Sequence, residues 1–417
     1  MMFRRMPRIV TAVFLLALFS ALLPETALPA SSFVEMIDTV QVLSAPGLKG
    51  RAPGTPELDQ AAAFIADRFE AVGLVPGGDS NGSWYQDWTD PDLKVRLRNV
   101  VGILPGRNPH AAGQSVVIGA HYDHLGMGLS GALPENRGKL HPGADDNASG
   151  VAVLLELASR LPLAPDMERS IVFVAFTGEE AGRKGSKYYV LNEKRYPVAK
   201  AAGMINLDTV GRLGKNKLIV IGGGSAKEWP ELFREAGKVS GVEIVLTAQD
   251  LDSSDQKSFH EAGVPAVQLF TGPHLDYHRP TDMVDKVDAR GLEKVATVAR
   301  AAALYLTSLP GRLTATLPAP QRPEPVQRTA RKATVGIVPD FTFNGTGVRL
   351  GGTLPGGPAE AAGMREGDII IQVGNTSIVV LKDLSDVLRT KQPGEKLPVK
   401  FLRNGKERQV EMQVKEK

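Results

Sequence analysis

Five short strings in this chain carry side chains suited to chemistry. They are GAHYDH with His121 and Asp123, GADDNASG with Asp146, TGEE with Glu179 and Glu180, NLDTVG with Asp208, and DYHRPTD with His278. Imidazole nitrogen and carboxylate oxygen are donors that suit zinc, and the chain has no cysteine to compete with them. Two histidines and three carboxylates are enough to hold two metal ions that share one bridging carboxylate. One Glu is then left over to move a proton, and that combination equips a two-metal hydrolase. Each string alone has a plainer explanation. A His-x-Asp at a strand end is usually a polar pair, a Glu-Glu after a strand is a helix start favoured by the dipole, and Asp-Asp-Asn before a helix is an N-cap. Those explanations do not predict one another, whereas a single site predicts all five.

The strings follow apolar runs whose spacing shows what positions them. Residues 115–120 (SVVIGA), 170–176 (SIVFVAF), 203–207 and 265–270 (PAVQLF) read as short buried strands. Residues 60–72, 149–161 and 290–306 read as helices, the first closed by Gly73. Strand and helix patterns that alternate imply an α/β fold, here a mostly parallel mixed sheet sandwiched by helices. The chemically active residues then gather at the carboxyl ends of strands, where open α/β sheets place their sites.

At 417 residues, with 42% apolar and 23% charged side chains, the chain has the composition of a globular protein of more than one domain. Residues 1–30 read as a signal peptide: Arg4, Arg5 and Arg8 precede an apolar run from Ile9 to Leu23, with cleavage expected after Ala30. The expectation is a periplasmic or secreted protein. Without that segment, 46 basic residues face 45 acidic ones, a balance that points to no nucleic-acid partner and no membrane surface. Residues 31–309 form the expected large domain and 310–332 a Pro-rich linker. In residues 333–417 the pattern changes to short strands and a brief helix.

The strings in this order resemble the co-catalytic di-zinc aminopeptidases, the family of bacterial leucyl aminopeptidases and glutamate carboxypeptidase-like exopeptidases. The resemblance covers most of residues 50–309, and GADDNASG and TGEE are its most specific parts. It implies two zinc ions per chain and peptide substrates with a free N-terminus, the α-amine being held at the cluster. By motif, His121, Asp146 and Asp208 would hold one zinc, and Asp146, Glu180 and His278 the other. The bridging position falls on Asp146 rather than Asp145, with a cis peptide expected at Asp146–Asn147. Asp123 would accept the second ring N–H of His121. Glu179 would be the general base for a hydroxide that bridges the metals. Asp255 and Phe259 are expected to touch substrate, and Trp84, Tyr85, Trp88 and the loop 126–138 to form the cleft rim. His124, His141 and His274 are read as cleft-lining residues rather than ligands, and His110 and His260 as loop or helix-surface positions.

The string TGVRLGGTLPGGPAEAAGMREGDIIIQVGNTSI is similar to a bacterial PDZ domain, and the match runs from about 333 to the end. It implies capture of a peptide or protein C-terminus on a sheet edge, with residues 335–339 (VGIVP) as the carboxylate loop. Two other functions share the large domain's expected fold. One is a glutaminyl-cyclase-like acyl transferase, which needs a single zinc, and the other is a metal-free binding protein. The number of bound zincs separates all three.

Overall fold

The computed structural model describes residues 32–128, 132–164, 167–249, 251–318, 333–343 and 345–416. The expected signal peptide lies outside the described residues, as do positions 319–332 of the Pro-rich stretch and 129–131 of the 126–138 loop. Among the described residues, no helix is long and apolar enough to cross a membrane.

The large domain is built on nine strands: β1 (Val75–Pro76), β2 (Tyr85–Thr89), β3 (Arg96–Leu104), β4 (Ser115–His121), β5 (Ser170–Phe176), β6 (Ala201–Leu207), β7 (Leu218–Ile221), β8 (Ile244–Thr247) and β9 (Ala266–Phe270). They are ordered β1-β3-β5-β4-β6-β9-β7-β8, with β2 paired to β3. The central run β5-β4-β6-β9 is parallel, and antiparallel neighbours flank it at β3 and β7. The helices are α1 (Ser32–Leu43), α2 (Pro56–Ala71), α3 (Gly150–Arg160), α4 (Lys184–Asn192), α5 (Trp229–Ser240), α6 (Gln256–Glu261) and α7 (Ala289–Ser308).

The central strands are apolar at nearly every position because both faces of the sheet are covered. Val116, Ile118 and Ala120 of β4 join Ile171, Phe173 and Ala175 of β5 in a core closed by α1, α2, α3, α5 and α7. Val117, Val172, Val174 and Phe176 point the other way, onto Tyr189 of α4 and Phe259 of α6. Each buried branched side chain is worth roughly 1.5–3 kcal/mol, so a one-residue slip of β4 would forfeit both faces and move His121 with them.

Helix α2 starts four residues before the predicted position 60. Thr55 caps it by accepting from Leu58 N–H at 3.3 Å, Pro56 opens the first turn, and Glu57 and Asp59 complement the dipole there. Helix α3 starts at Gly150 rather than 149 because Asp146 (φ −107°, ψ 91°) and Asn147 (φ −135°, ψ 42°) break the helical path just before it. The large domain's contacts continue past α7: Leu313 is buried in its core, and Thr316 N–H donates to Ser225 O at 3.0 Å.

The small domain contains β10 (Ala333–Thr334), β11 (Ile337–Pro339), β12 (Val348–Thr353), β13 (Ile369–Val373), β14 (Thr376–Ser377), β15 (Lys396–Arg403), β16 (Lys406–Gln413) and β17 (Lys415–Glu416). Its main sheet runs β11-β12-β13-β15-β16. Helix α8 (Pro358–Ala361) and helix α9 (Leu381–Arg389) accompany it. Leu397, Val399 and Phe401 alternate inward along β15, and the β15–β16 turn takes positive φ at Asn404 and Gly405, as a tight hairpin demands. Strand β11, which holds most of the expected carboxylate loop, is an edge strand. Phe341 meets Phe270 of the large domain edge-on at 5.4 Å, and Phe341 and Leu381 pack against Ile219, Ile221 and Leu251.

Candidate metal centre

The parallel strands deliver their ends to one place. His121 is the last residue of β4, Glu179 and Glu180 follow β5 after Thr177 and Gly178, Asp208 follows β6 directly, and the loop after β9 brings back His278. Asp146 arrives from the irregular segment before α3. Asn147 anchors that segment: its Nδ2 donates to Leu207 O at 2.9 Å and to His121 O at 3.3 Å, and its Oδ1 accepts from Gly150 and Thr209 N–H. The Asp146–Asn147 peptide is cis, as the resemblance implied.

The donor atoms converge in two groups. His121 Nε2 is 3.2 Å from Asp146 Oδ1 and 3.5 Å from Asp208 Oδ1. His278 Nε2 is 3.1 Å from Asp146 Oδ2 and 3.1 Å from Glu180 Oε2. Asp146 thus turns one oxygen to each histidine. The His121 ring donates from Nδ1 to Asp123 O at 3.2 Å, which turns Nε2 toward the two carboxylates. His278 Nε2 and Asp146 Oδ2 are buried without a hydrogen-bond partner. Ligands about 2.0–2.1 Å from a tetrahedral zinc stand about 3.3 Å apart, which is the spacing observed within both groups. Each group therefore has the donor types and spacing that suit zinc, and Asp146 belongs to both.

The electrostatics agree. Burial alone would raise the Asp146 carboxyl, but His124, His121 and His278 hold it well below the usual range. Glu180 is held at about 2: burial works against ionisation, and His278 and His124 outweigh it. Burial would lower the His278 imidazole, yet Glu180 and Asp146 push it up to about 10. This pocket attracts positive charge. Glu179 differs from all of these. Burial pushes its carboxyl well above the usual range, with His121 opposing and Asp255, Glu180 and Asp208 adding to the rise.

Several residues take other places than the sequence indicated. The Asp123 carboxylate is 3.7 Å from His121 Nδ1, and the His121 N–H goes to the Asp123 backbone carbonyl instead. The carboxylate accepts from the N–H groups of Glu179 (3.1 Å) and Glu180 (3.4 Å), so it orients the TGEE turn as well as facing the ring. Asp145, which the sequence reading left out of the bridge, points away from the centre, accepting from Ser149 Oγ at 2.9 Å and Gly211 N–H at 2.6 Å, with His274 Nε2 3.1 Å away. Phe259 is core, packed on Phe176 and Tyr189. Asp255 is fully buried, and burial lifts its carboxyl to about 7. Trp84 packs on Phe69 and Trp88 stacks on Tyr188 at 4.1 Å, so these rings serve packing. His260 is buried and its Nε2 donates to Ala266 O at 2.8 Å, whereas the sequence placed it on a helix surface.

The sequence read one site residue, His124, only as cleft-lining and left another, Asp282, unread. His124 is fully buried, with Nδ1 2.9 Å from Glu180 Oε1 and 3.8 Å from Asp146 Oδ2. Asp282 accepts from the backbone N–H of both Asp145 and Asp146 at 3.0 Å and so fixes the bridging segment. It is the last letter of DYHRPTD, the signal that could have found it. Since His124 reaches the oxygen of Glu180 that His278 leaves free, His124→Gln should weaken zinc at the Glu180 group about 10–100-fold and spare the Asp208 group. Stepwise zinc titration of the stripped protein checks this, and equal weakening of both groups would contradict it.

Residues 99–303 match peptidase family M28, and residues 346–414 match the PDZ domain. The chain is 29% identical over 215 residues to aminopeptidase YwaD of Bacillus subtilis, covering 49% of this chain and 44% of that one. It is 32% identical over 163 residues to the alkaline phosphatase isozyme conversion protein of Escherichia coli, covering 39% and 47%. The chain thus spans less than half the length of these relatives. Among solved structures, the fold is similar to BSAP, a zinc aminopeptidase from Bacillus subtilis, with a TM-score of 0.53 at 19% identity over 66% of this chain and 94% of that one. It is equally similar to Porphyromonas gingivalis glutaminyl cyclase, with a TM-score of 0.54 at 20% identity over 65% and 96%. The match to peptidase family M28 spans the elements that carry the two donor groups, and the PDZ match follows it in the chain.

Proposed function

We propose that this chain is an exported zinc aminopeptidase that removes residues from the amino end of peptides. The observation that carries the reading is the pair of donor groups joined by Asp146, with every ligand type present. His121, Asp146 and Asp208 would hold one zinc, and Asp146, Glu180 and His278 the other. Such a pair, when bound, polarises a peptide carbonyl and makes water acidic enough to attack near neutral pH. Glu179 is the carboxylate left free of the donor groups, and its raised pKa suits a group that takes a proton from the attacking water and returns it to the leaving amine. Asp123 holds the backbone of Glu179 and Glu180, so base and ligand keep their relative positions.

The fold alone favours neither hydrolysis nor glutaminyl cyclisation, because both kinds of neighbour match it equally well. The complete two-group set supports hydrolysis. The excess of buried carboxylates supports recognition of a protonated α-amine. Peptides with an acetylated N-terminus should therefore be cleaved about 10²-fold more slowly than free ones, since a buried polar site left unpaired discriminates strongly. Comparable rates for the two would remove the exopeptidase reading. The N-terminal segment supports export, and the edge strand β11 supports capture of a peptide C-terminus by the PDZ domain.

The PDZ domain contributes no ligand or base, so a chain ending after Pro318, which keeps the packed Leu313 and Thr316, should cleave short aminoacyl-nitroanilides at close to the full-length rate. A folded but inactive truncated chain would show that the Phe341–Phe270 contact is required for chemistry.

A further inference from the structure

Arg51 is among the largest fully buried side chains of the molecule, and the metal centre described above makes no use of it. Its Nε donates to Tyr122 O at 2.9 Å, Nη1 to Pro142 O at 2.8 Å and to Leu43 O, and Nη2 to Gly143 O at 3.0 Å. Tyr122 lies between His121 and Asp123, and Gly143 stands three residues before Asp146. One guanidinium thus ties the end of β4 to the segment that carries the bridging carboxylate, and ties both to the end of α1. The backbone joins in: His124 N–H donates to Arg51 O at 3.2 Å, and Gly126 N–H to Gly50 O at 3.0 Å. Gly50, at φ +70°, is pressed so closely that a Cβ there would lie 2.4 Å from His141 O.

A neutral donor would satisfy carbonyls at less cost than a buried cation. Among the described residues no carboxylate forms an ion pair with Arg51, so its charge is balanced only at longer range. Asp123, Asp146, Asp282 and Glu180 supply that balance: burial lowers the guanidinium to about 10, and these carboxylates oppose the fall. Arg51 remains a cation at neutral pH behind a pocket rich in negative charge.

We infer that Arg51 is a positioning residue of the metal centre, a buried cationic clamp that holds the His121–Asp123 strand end and the Asp146 segment at the separation where Asp146 faces both histidines. This rests on the reading that the two donor groups bind zinc. Metal-stripped full-length protein with Arg51→Met and Arg51→Lys should be titrated with zinc against a chromogenic chelator, with far-UV circular dichroism confirming the fold. R51M is expected to bind zinc about 10–100-fold more weakly, the usual effect of losing an outer partner of a metal site. R51K keeps the charge but not the planar fork, and should fall between R51M and wild type. The absorption spectrum of the cobalt-loaded protein should also change in R51M, because the ligand geometry is altered. Folded variants with wild-type zinc affinity and an unchanged cobalt spectrum would overturn the assignment, even if they melt at lower temperature. Failure of both variants to fold would overturn it too, by placing Arg51 in the core architecture. A wild-type protein that binds no zinc would instead sink the metal reading itself.

Discussion

Asp146→Ala is expected to empty both zinc sites together and to abolish activity. Asp146 gives one oxygen to each histidine-centred group, so its loss removes a ligand from both at once. Three donors per group become two, His121 with Asp208 and His278 with Glu180, too few to hold zinc against dilution. The neighbouring carboxylate is the natural control. Asp145 is buried in a network with Ser149, Gly211 and His274, outside both groups. Asp145→Ala should leave the Gly211 N–H unsatisfied and cost about 1–3 kcal/mol of stability, whereas the Ser149 hydroxyl keeps the Asp145 backbone carbonyl as acceptor and zinc content stays near wild type. Metal analysis and melting curves of the two variants separate the roles. The reverse ranking would move the bridge to Asp145.

Glu179→Gln should have the second-largest effect, and a different signature. Both zincs should remain, because Glu179 belongs to neither donor group, and the Asp123 contact to its backbone N–H survives the substitution. The amide cannot accept a proton, so kcat should fall roughly 10²–10⁴-fold, about 3–5 kcal/mol in the barrier. KM for a short aminoacyl substrate should change far less than kcat. Loss of zinc in Glu179→Gln would exchange the roles of Glu179 and Glu180.

The chain displays its chemistry more openly than its architecture. Within SVVIGAH and SIVFVAF every interior position is apolar because both sheet faces are covered, so β4 and β5 can be read with nearly their observed bounds. His121 closes the first run and Glu179 and Glu180 stand just after the second, so the site is legible for the same reason. Strand order is another matter. Nothing local in β3 (RLRNVVGIL) says that it pairs antiparallel with β5, or in β7 that it lies antiparallel beside β9. His124 acquires its meaning only from Glu180, fifty-six positions away, and Asp282 from the amides of Asp145 and Asp146. Arg51 is obscure for the same reason, since all its acceptors are backbone carbonyls, which carry no sequence signature. The early start of α2 at Pro56 was readable from Thr55 and Pro56, but PELDQ lacks the apolar spacing that marks the helix from position 60 onward.

The most direct test of the account is the zinc content of the purified protein, measured by mass spectrometry beside its protein concentration. Two donor groups that share Asp146 predict about two zincs per chain, both lost in Asp146→Ala and both kept in Glu179→Gln. One zinc per chain would contradict the shared bridge and favour the cyclase-like chemistry. A chain that binds none would contradict the metal centre altogether.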